Sequence, residues 1–191
     1  MPCDGLSWAR IEYVLLPVFV SAWQIECCGE PFAVDQVVRW QLLFTEAGRW
    51  HSEPPEHEVT LTGQAEPFGW KFVEHNRTDV RLRVGAAVLY WSAPEELVGA
   101  VTVTGTVQED HHAGVPEDFP ATTGRVRRIR VESRYFTEDP PRSREWVYAG
   151  PSASYRDVST SPTRFDDLTV TRDGVRRRSE TGVLVDLEVG D

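Results

Sequence analysis

The stretch Val101-Thr-Val-Thr-Gly-Thr-Val107 decides the fold class. Its valines alternate with threonines, and this period of two places apolar side chains on one face of a β-strand and polar side chains on the other. β-Branched residues also fit the pleated surface of a sheet. The stretch therefore predicts a half-buried strand, and it is the clearest strand pattern in the chain.

The same alternation recurs on both sides of this strand. We predict further strands at residues 14–20 (buried on both faces), 34–42, 59–62, 80–90, 125–136, 145–149, 168–171 and 183–189. Gly, Pro and Asp separate these segments, and helical signals are limited to a short turn at 94–97. The pattern predicts an all-β protein with a barrel-like domain of short antiparallel strands, similar to OB-fold or SH3-like barrels.

Length and composition fit one such domain. The chain has 191 residues, of which 40% are hydrophobic, so it can bury a core of its own. Residues 1–10 carry no pattern and are predicted to form a loose tail, with a single domain over 11–191. An echo between Val59-Thr-Leu-Thr-Gly63 and residues 101–105 leaves open two small barrels in tandem, with a boundary near 93–98.

The alternation slips by one residue within segment 125–136. Val126 has one parity, whereas Ile129 and Val131 have the other. A one-residue slip would turn every later side chain to the wrong face. We therefore predict a β-bulge at Arg127-Arg128, which restores the pattern.

Charge and cysteine content exclude several classes of protein. Twenty basic and thirty acidic residues give a net charge of −10, which disfavours a protein that mainly grips phosphate backbones. Three cysteines are too few for a disulfide scaffold. The apolar run at 11–20 is shorter than the roughly 20 residues of a membrane span, and no signal peptide or lipidation motif is evident. We expect a cytoplasmic protein with reduced thiols that does not contact a membrane.

The segment Trp23-Gln-Ile-Glu-Cys-Cys-Gly-Glu-Pro-Phe-Ala-Val34 resembles the N-terminal signature of a small uncharacterised bacterial family from high-GC lineages. A second matching stretch, Gly105-Thr-Val-Gln-Glu-Asp-His-His112, continues through 124–131. The resemblance covers residues 14–136 and implies a domain of unknown function. It implies no activity, but it singles out the Cys-Cys-Gly turn and the His-His loop.

These two segments hold the candidate metal ligands. Together, Cys27, Cys28, His111 and His112 could form a Cys₂His₂ set for zinc. The leading prediction includes no cofactor, and zinc is the alternative. Adjacent residues of a strand point to opposite faces, so we expect one cysteine in the core and the other at a turn. Asp110 could join the two histidines in a ligand set or an acid–base pair, or the long loop at 109–123 could be a solvated connection.

The segment from Arg125 to Arg134 contains five arginines and suggests a nucleic-acid-binding barrel, with Arg128 and Arg130 as contacts. The net charge and the acidic residues upstream disfavour this interpretation. An arginine-lined strand in an acidic protein more often pairs with the protein's own carboxylates.

Two tryptophans, Trp50 and Trp70, lie outside clear strand patterns, whereas Trp23, Trp40 and Trp91 are predicted to be core residues. Aromatic side chains on loops suit a peptide or ligand groove, although they could equally cap the barrel. The chain contains none of the familiar catalytic motifs, such as Gly-x-Ser-x-Gly or His-Glu-x-x-His.

The leading prediction is a non-catalytic binding or accessory protein that recognises a protein or small ligand through its loops. The predicted contact residues are Trp50, Trp70, Asp110, His111, His112, Arg128 and Arg130. The alternatives are a metal-binding protein or metal-dependent enzyme that uses Cys27, Cys28, His111 and His112, and the nucleic-acid-binding barrel.

Overall fold

The computed structural model describes residues 13–48, 54–69, 77–110, 112, 114–140, 145–166, 169–170 and 176–190. The elements in these ranges are strands β1 (Tyr13–Ser21), β2 (Val37–Trp40), β3 (Leu42–Glu46), β4 (Glu58–Pro67), β5 (Thr78–Val84), β6 (Ala87–Ala93), β7 (Gly99–Glu109), β8 (Thr122–Glu138), β9 (Trp146–Val158), β10 (Thr169–Val170) and β11 (Arg176–Gly190), helix α1 (Ala22–Cys28), and a 3₁₀ turn (Pro55–His57). The all-β prediction is confirmed. The predicted tail at 1–10 lies outside the described residues. No described helix has the length and apolar character needed to cross a membrane.

Strands β3 to β7 close into a five-stranded barrel. β4, β5 and β6 pair consecutively in antiparallel fashion, and β7 returns to lie beside β4, which makes a Greek key. β3 completes the barrel between β6, to which it is parallel, and β7, to which it is antiparallel. The predicted barrel is therefore confirmed as a closed five-stranded barrel, to which further strands are added. The proposed boundary near 93–98 falls at the end of β6 and in the connection to β7, within this barrel.

The two segments that echo each other in the sequence are neighbouring barrel strands. Val59 to Gly63 of β4 pair antiparallel with Gly105 to Val101 of β7. The hydroxyls of Thr60 and Thr104 lie 2.8 Å apart on the exposed face. The echo therefore reflects two paired strands of a single barrel.

A second group of strands extends the sheet beside the barrel. β11 lies between β1 and β8 and is antiparallel to both, while β2 and β9 pair with β8, and β10 pairs with β11. Opposite β11, Arg128 pairs with Asp186 and Val126 pairs with Leu187, which leaves Arg127 as the extra residue. The predicted bulge is confirmed.

The parallel pairing of β1 with β7 positions the candidate site. Val18 is paired with Val107 and Phe19 with Gln108. Because the two strands run in the same direction, the segments that follow them leave the sheet at the same edge. Helix α1 follows β1, and the loop at 110–121 follows β7, so these two segments begin side by side.

The predicted local structure is wrong at several points. Leu16, Val18 and Val20 of β1 are buried, but Leu15 is 50% exposed, so β1 is not buried on both faces. Residues 34–42 do not form one strand, because β2 and β3 are separated at Gln41. Residues 94–97 form no helical turn.

Candidate functional site

Helix α1 places two cysteines at its carboxyl end. Gln24, three residues after Ser21, accepts hydrogen bonds at Oε1 from the Ser21 hydroxyl (2.9 Å) and backbone N–H (3.4 Å), which fixes the first turn. At the other end the Gly29 N–H donates to the Gln24 carbonyl oxygen over 3.0 Å. Gln24 and Ile25 are buried, so the helix presents its opposite side to solvent.

Cys27 and Cys28 are both exposed, and neither forms a disulfide. The expectation that one cysteine lies in the core is therefore wrong, and so is the argument from strand geometry. Successive residues of an α-helix are about 100° apart around its axis, whereas those of a strand point in opposite directions. Adjacent cysteines at the end of a helix can therefore direct both sulfur atoms toward one point.

The loop after β7 brings a histidine to this point. Cys28 Sγ lies 3.0 Å from His112 Nε2, across 84 residues of sequence. One ligand atom each from Cys27, Cys28 and His112 lies within 4.8 Å of the others. The indole of Trp23, which is 57% exposed, stacks on the His112 ring with centroids 4.5 Å apart. Trp23 is thus part of the site and not of the core, contrary to prediction.

The electrostatics of this cluster disfavour free thiolates. Partial desolvation, a hydrogen bond with Cys27, and negative charge on Cys27 and Glu109 raise the pKa of the Cys28 thiol above its ordinary value. Reactive cysteines lie in electropositive surroundings that lower the pKa, so Cys28 does not have the character of an activated nucleophile. A bound cation would reverse this balance, because metal ions displace the protons of thiol ligands.

Two open clefts adjoin the cysteine–histidine pair, one lined by Cys28 and the other by His112. Cys28 lines a cleft of about 350 Å³ together with Phe32 and Trp40. His112 and Asp110 line a second cleft of about 280 Å³. The buried residue Glu109 lines both clefts.

The predicted contact residues Arg128 and Arg130 form ion pairs with the protein's own carboxylates. Arg128 forms an ion pair of 2.6 Å with Asp157, and Arg130 one of 2.5 Å with Asp186. Nearby, Arg127 pairs with Glu188 at 2.6 Å. These pairs are the structural alternative predicted for the arginine-rich strand. Trp50, Trp70 and His111 lie outside the described residues.

Sequence reasoning missed a second polar cluster, which lies in the core around Glu132. The Glu132 carboxylate accepts hydrogen bonds from Thr181 (2.7 Å) and Tyr155 (3.1 Å) and lies 2.6 Å from His57 Nε2. Burial by itself would raise the pKa of Glu132, but the hydrogen bond and charge of His57, the Thr181 hydroxyl and the charge of Arg134 hold it below its ordinary value. No local sequence motif predicts this cluster, because its members come from four separate segments.

Sequence comparison places the chain in a family. It matches a family of unknown function (DUF6578) over residues 14–189, and it therefore belongs to that family. The match extends beyond the segment 14–136 on which the resemblance was based. Neither the curated proteins nor the solved structures contain a match to the chain.

Proposed function

We propose that this member of the DUF6578 family binds a thiophilic divalent metal ion, zinc in the first instance, through Cys27, Cys28 and His112. The observation that carries the proposal is the convergence of three donor atoms, within 4.8 Å of one another, from two segments that are distant in sequence. Two thiols and an imidazole form a donor set that zinc commonly uses. Hard cations such as magnesium and calcium prefer oxygen ligands.

The spacing of the donor atoms suits a tetrahedral ion. Zinc bonds of about 2.3 Å to sulfur and 2.0–2.1 Å to nitrogen imply roughly 3.6 Å between sulfur and nitrogen and 3.8 Å between two sulfurs. Cys28 Sγ lies 3.0 Å from His112 Nε2, somewhat closer than the roughly 3.6 Å expected around zinc. A small rotation of either side chain would make up this difference. His111, the remaining ligand of the predicted set, is the natural candidate to test as a fourth donor.

The first test is metal content and affinity. Protein purified without chelator or affinity metal is analysed for zinc, iron, copper and nickel, and the apoprotein is then titrated with zinc. We expect about one zinc per chain, with C28S and H112A each weakening binding by more than about 100-fold. C3S is the matched control, because it removes a thiol that the proposal does not use.

Three results would overturn the proposal: wild-type protein that takes up no zinc, C3S that weakens binding as much as C28S, or H112A that binds like wild type. An additional loss in H111A would identify that residue as the fourth ligand, whereas unchanged binding would leave three protein ligands.

A second candidate is the binding or accessory role predicted from the sequence. The observation in its favour is the pair of clefts beside the cluster, one of which Asp110 and His112 line. This role is tested by measuring the affinity of any identified partner for wild type, H112A and W23A. Each protein is measured both without zinc and loaded with zinc. If zinc-free wild type no longer binds the partner, the metal site is part of the recognition surface. If both variants bind the partner as wild type does, this cleft is not the binding site.

A further inference from the structure

We infer that Asp110 is a positioning residue for the metal site, holding His112 where its imidazole meets the two cysteines. The inference rests on the proposed function. Asp110 is the first residue after β7, and its backbone N–H donates to the Gln41 carbonyl oxygen over 3.0 Å. Its own position is thus fixed by the chain between β2 and β3.

The Asp110 carboxylate in turn fixes the loop. Its Oδ1 accepts the backbone N–H of His112 over 2.8 Å. This hydrogen bond determines where the His112 backbone lies relative to the end of β7. Asp110 thereby acts on the imidazole through the backbone, and it is not among the three clustered ligands.

Gly114 provides the space for this carboxylate. A Cβ atom added at Gly114 would lie 1.9 Å from Asp110 Oδ2. A side chain at this position would therefore require the Asp110 carboxylate to move from its observed position. Replacing Gly114 should displace the carboxylate that accepts the His112 N–H, whereas replacing Asp110 with alanine removes the acceptor itself.

The Trp23 side chain also contacts the His112 ring. The Trp23 indole stacks on it at an interplanar angle of 32°. The imidazole therefore packs against the Trp23 indole of α1, and its Nε2 atom faces Cys28. Outer interactions that orient a metal-binding histidine typically affect metal affinity by 10- to 100-fold, on the order expected for Asp110.

The test separates the hydrogen bond from the charge. D110A removes the acceptor, whereas D110N keeps a carbonyl oxygen that can accept the His112 N–H but removes the negative charge. We expect D110A and G114A to weaken zinc binding by about 10- to 100-fold, and D110N to remain within about threefold of wild type. D118A, which removes an exposed carboxylate from the same loop, is the matched control and should bind like wild type.

Two further measurements make the result specific. The urea midpoint of each variant reports whether the fold is intact, and it should stay near that of wild type in D110A. The chain has seven tryptophans, so the difference in fluorescence change between wild type and W23A during the zinc titration isolates the signal of the stacked ring.

Equal losses in D110N and D110A would show that Asp110 acts through charge or as a ligand, and would overturn the inference. Unchanged zinc affinity in D110A would overturn it as well. Failure of wild-type protein to bind zinc is a different outcome, since it removes the proposed function itself.

Discussion

The buried carboxylate of Glu132 allows a quantitative test of the core. Glu132 and His57 are each only 1% exposed, and the carboxylate receives three polar contacts, from His57, Tyr155 and Thr181. Replacing it with leucine leaves these three groups facing an apolar side chain. Hydrogen bonds to a charged group contribute about 1.5–3 kcal/mol each, and part of this sum is offset by the cost of burying the charge.

We expect E132L to lower the free energy of unfolding by about 3–5 kcal/mol, the range for removing one partner of a buried ion pair. For a chain of this size that corresponds to a fall in melting temperature of roughly 6–20 °C. Urea unfolding followed by tryptophan fluorescence measures the effect. D157A, which removes an exposed partner of Arg128, is the control and should cost less than about 1 kcal/mol.

A double-mutant cycle with His57 tests the cause. Replacing both members of a buried pair by apolar residues is often neutral, so H57F/E132L should be less destabilised than the sum of the two single variants. The reasoning is refuted if E132L costs less than about 1 kcal/mol, or if the two substitutions are simply additive.

Three further predictions follow from individual contacts. Because the folded pKa of Glu132 is lowered, its contribution to stability is present above its unfolded pKa of about 4.3 and is lost as the pH falls through the lower folded value. Urea midpoints between pH 3 and 7 should therefore fall more in wild type than in E132L, which keeps the lowered pKa values of Glu46 and Asp157. The raised pKa of Cys28 keeps its thiol protonated at neutral pH, so zinc binding should release a proton and strengthen as the pH rises, which calorimetric titration in two buffers measures. In G105A the new Cβ would lie 2.1 Å from the Thr45 carbonyl oxygen, so we expect a loss of about 1–3 kcal/mol, against less than about 1 kcal/mol for T104A on the exposed face of the same strand.

The strands and the bulge were predictable because their signals are local. The alternation at residues 101–107 is visible within a short stretch of sequence. The change of parity that marks the bulge at Arg127 is equally local. The pairing of Arg128 with one of the protein's own carboxylates was also predictable, because an acidic protein has many carboxylates available, although the sequence did not identify Asp157 as the partner.

Helix α1 was not predicted, because seven residues are too few to establish a helical period. The available signal was Ser21 followed three residues later by Gln24, a pattern that favours a helix start. Interpreting Cys27 and Cys28 as part of a strand and turn then led to the expectation of opposed sulfur atoms. A wrong element type therefore changed the conclusion about chemistry.

The proximity of Cys28 and His112 has a different origin, since it depends on pairing that no local pattern contains. β1 and β7 are paired over only two residues, and this short parallel contact joins the barrel to the outer strands. The two cysteines follow the outer strand, and the histidine follows the barrel strand. A metal ion bound by all three would therefore bridge the junction at the point where few backbone hydrogen bonds hold it. Binding to the folded chain alone stabilises it by about 2.7 kcal/mol at a metal concentration of 100 times Kd, so the bridge would reinforce the junction on which the site itself depends.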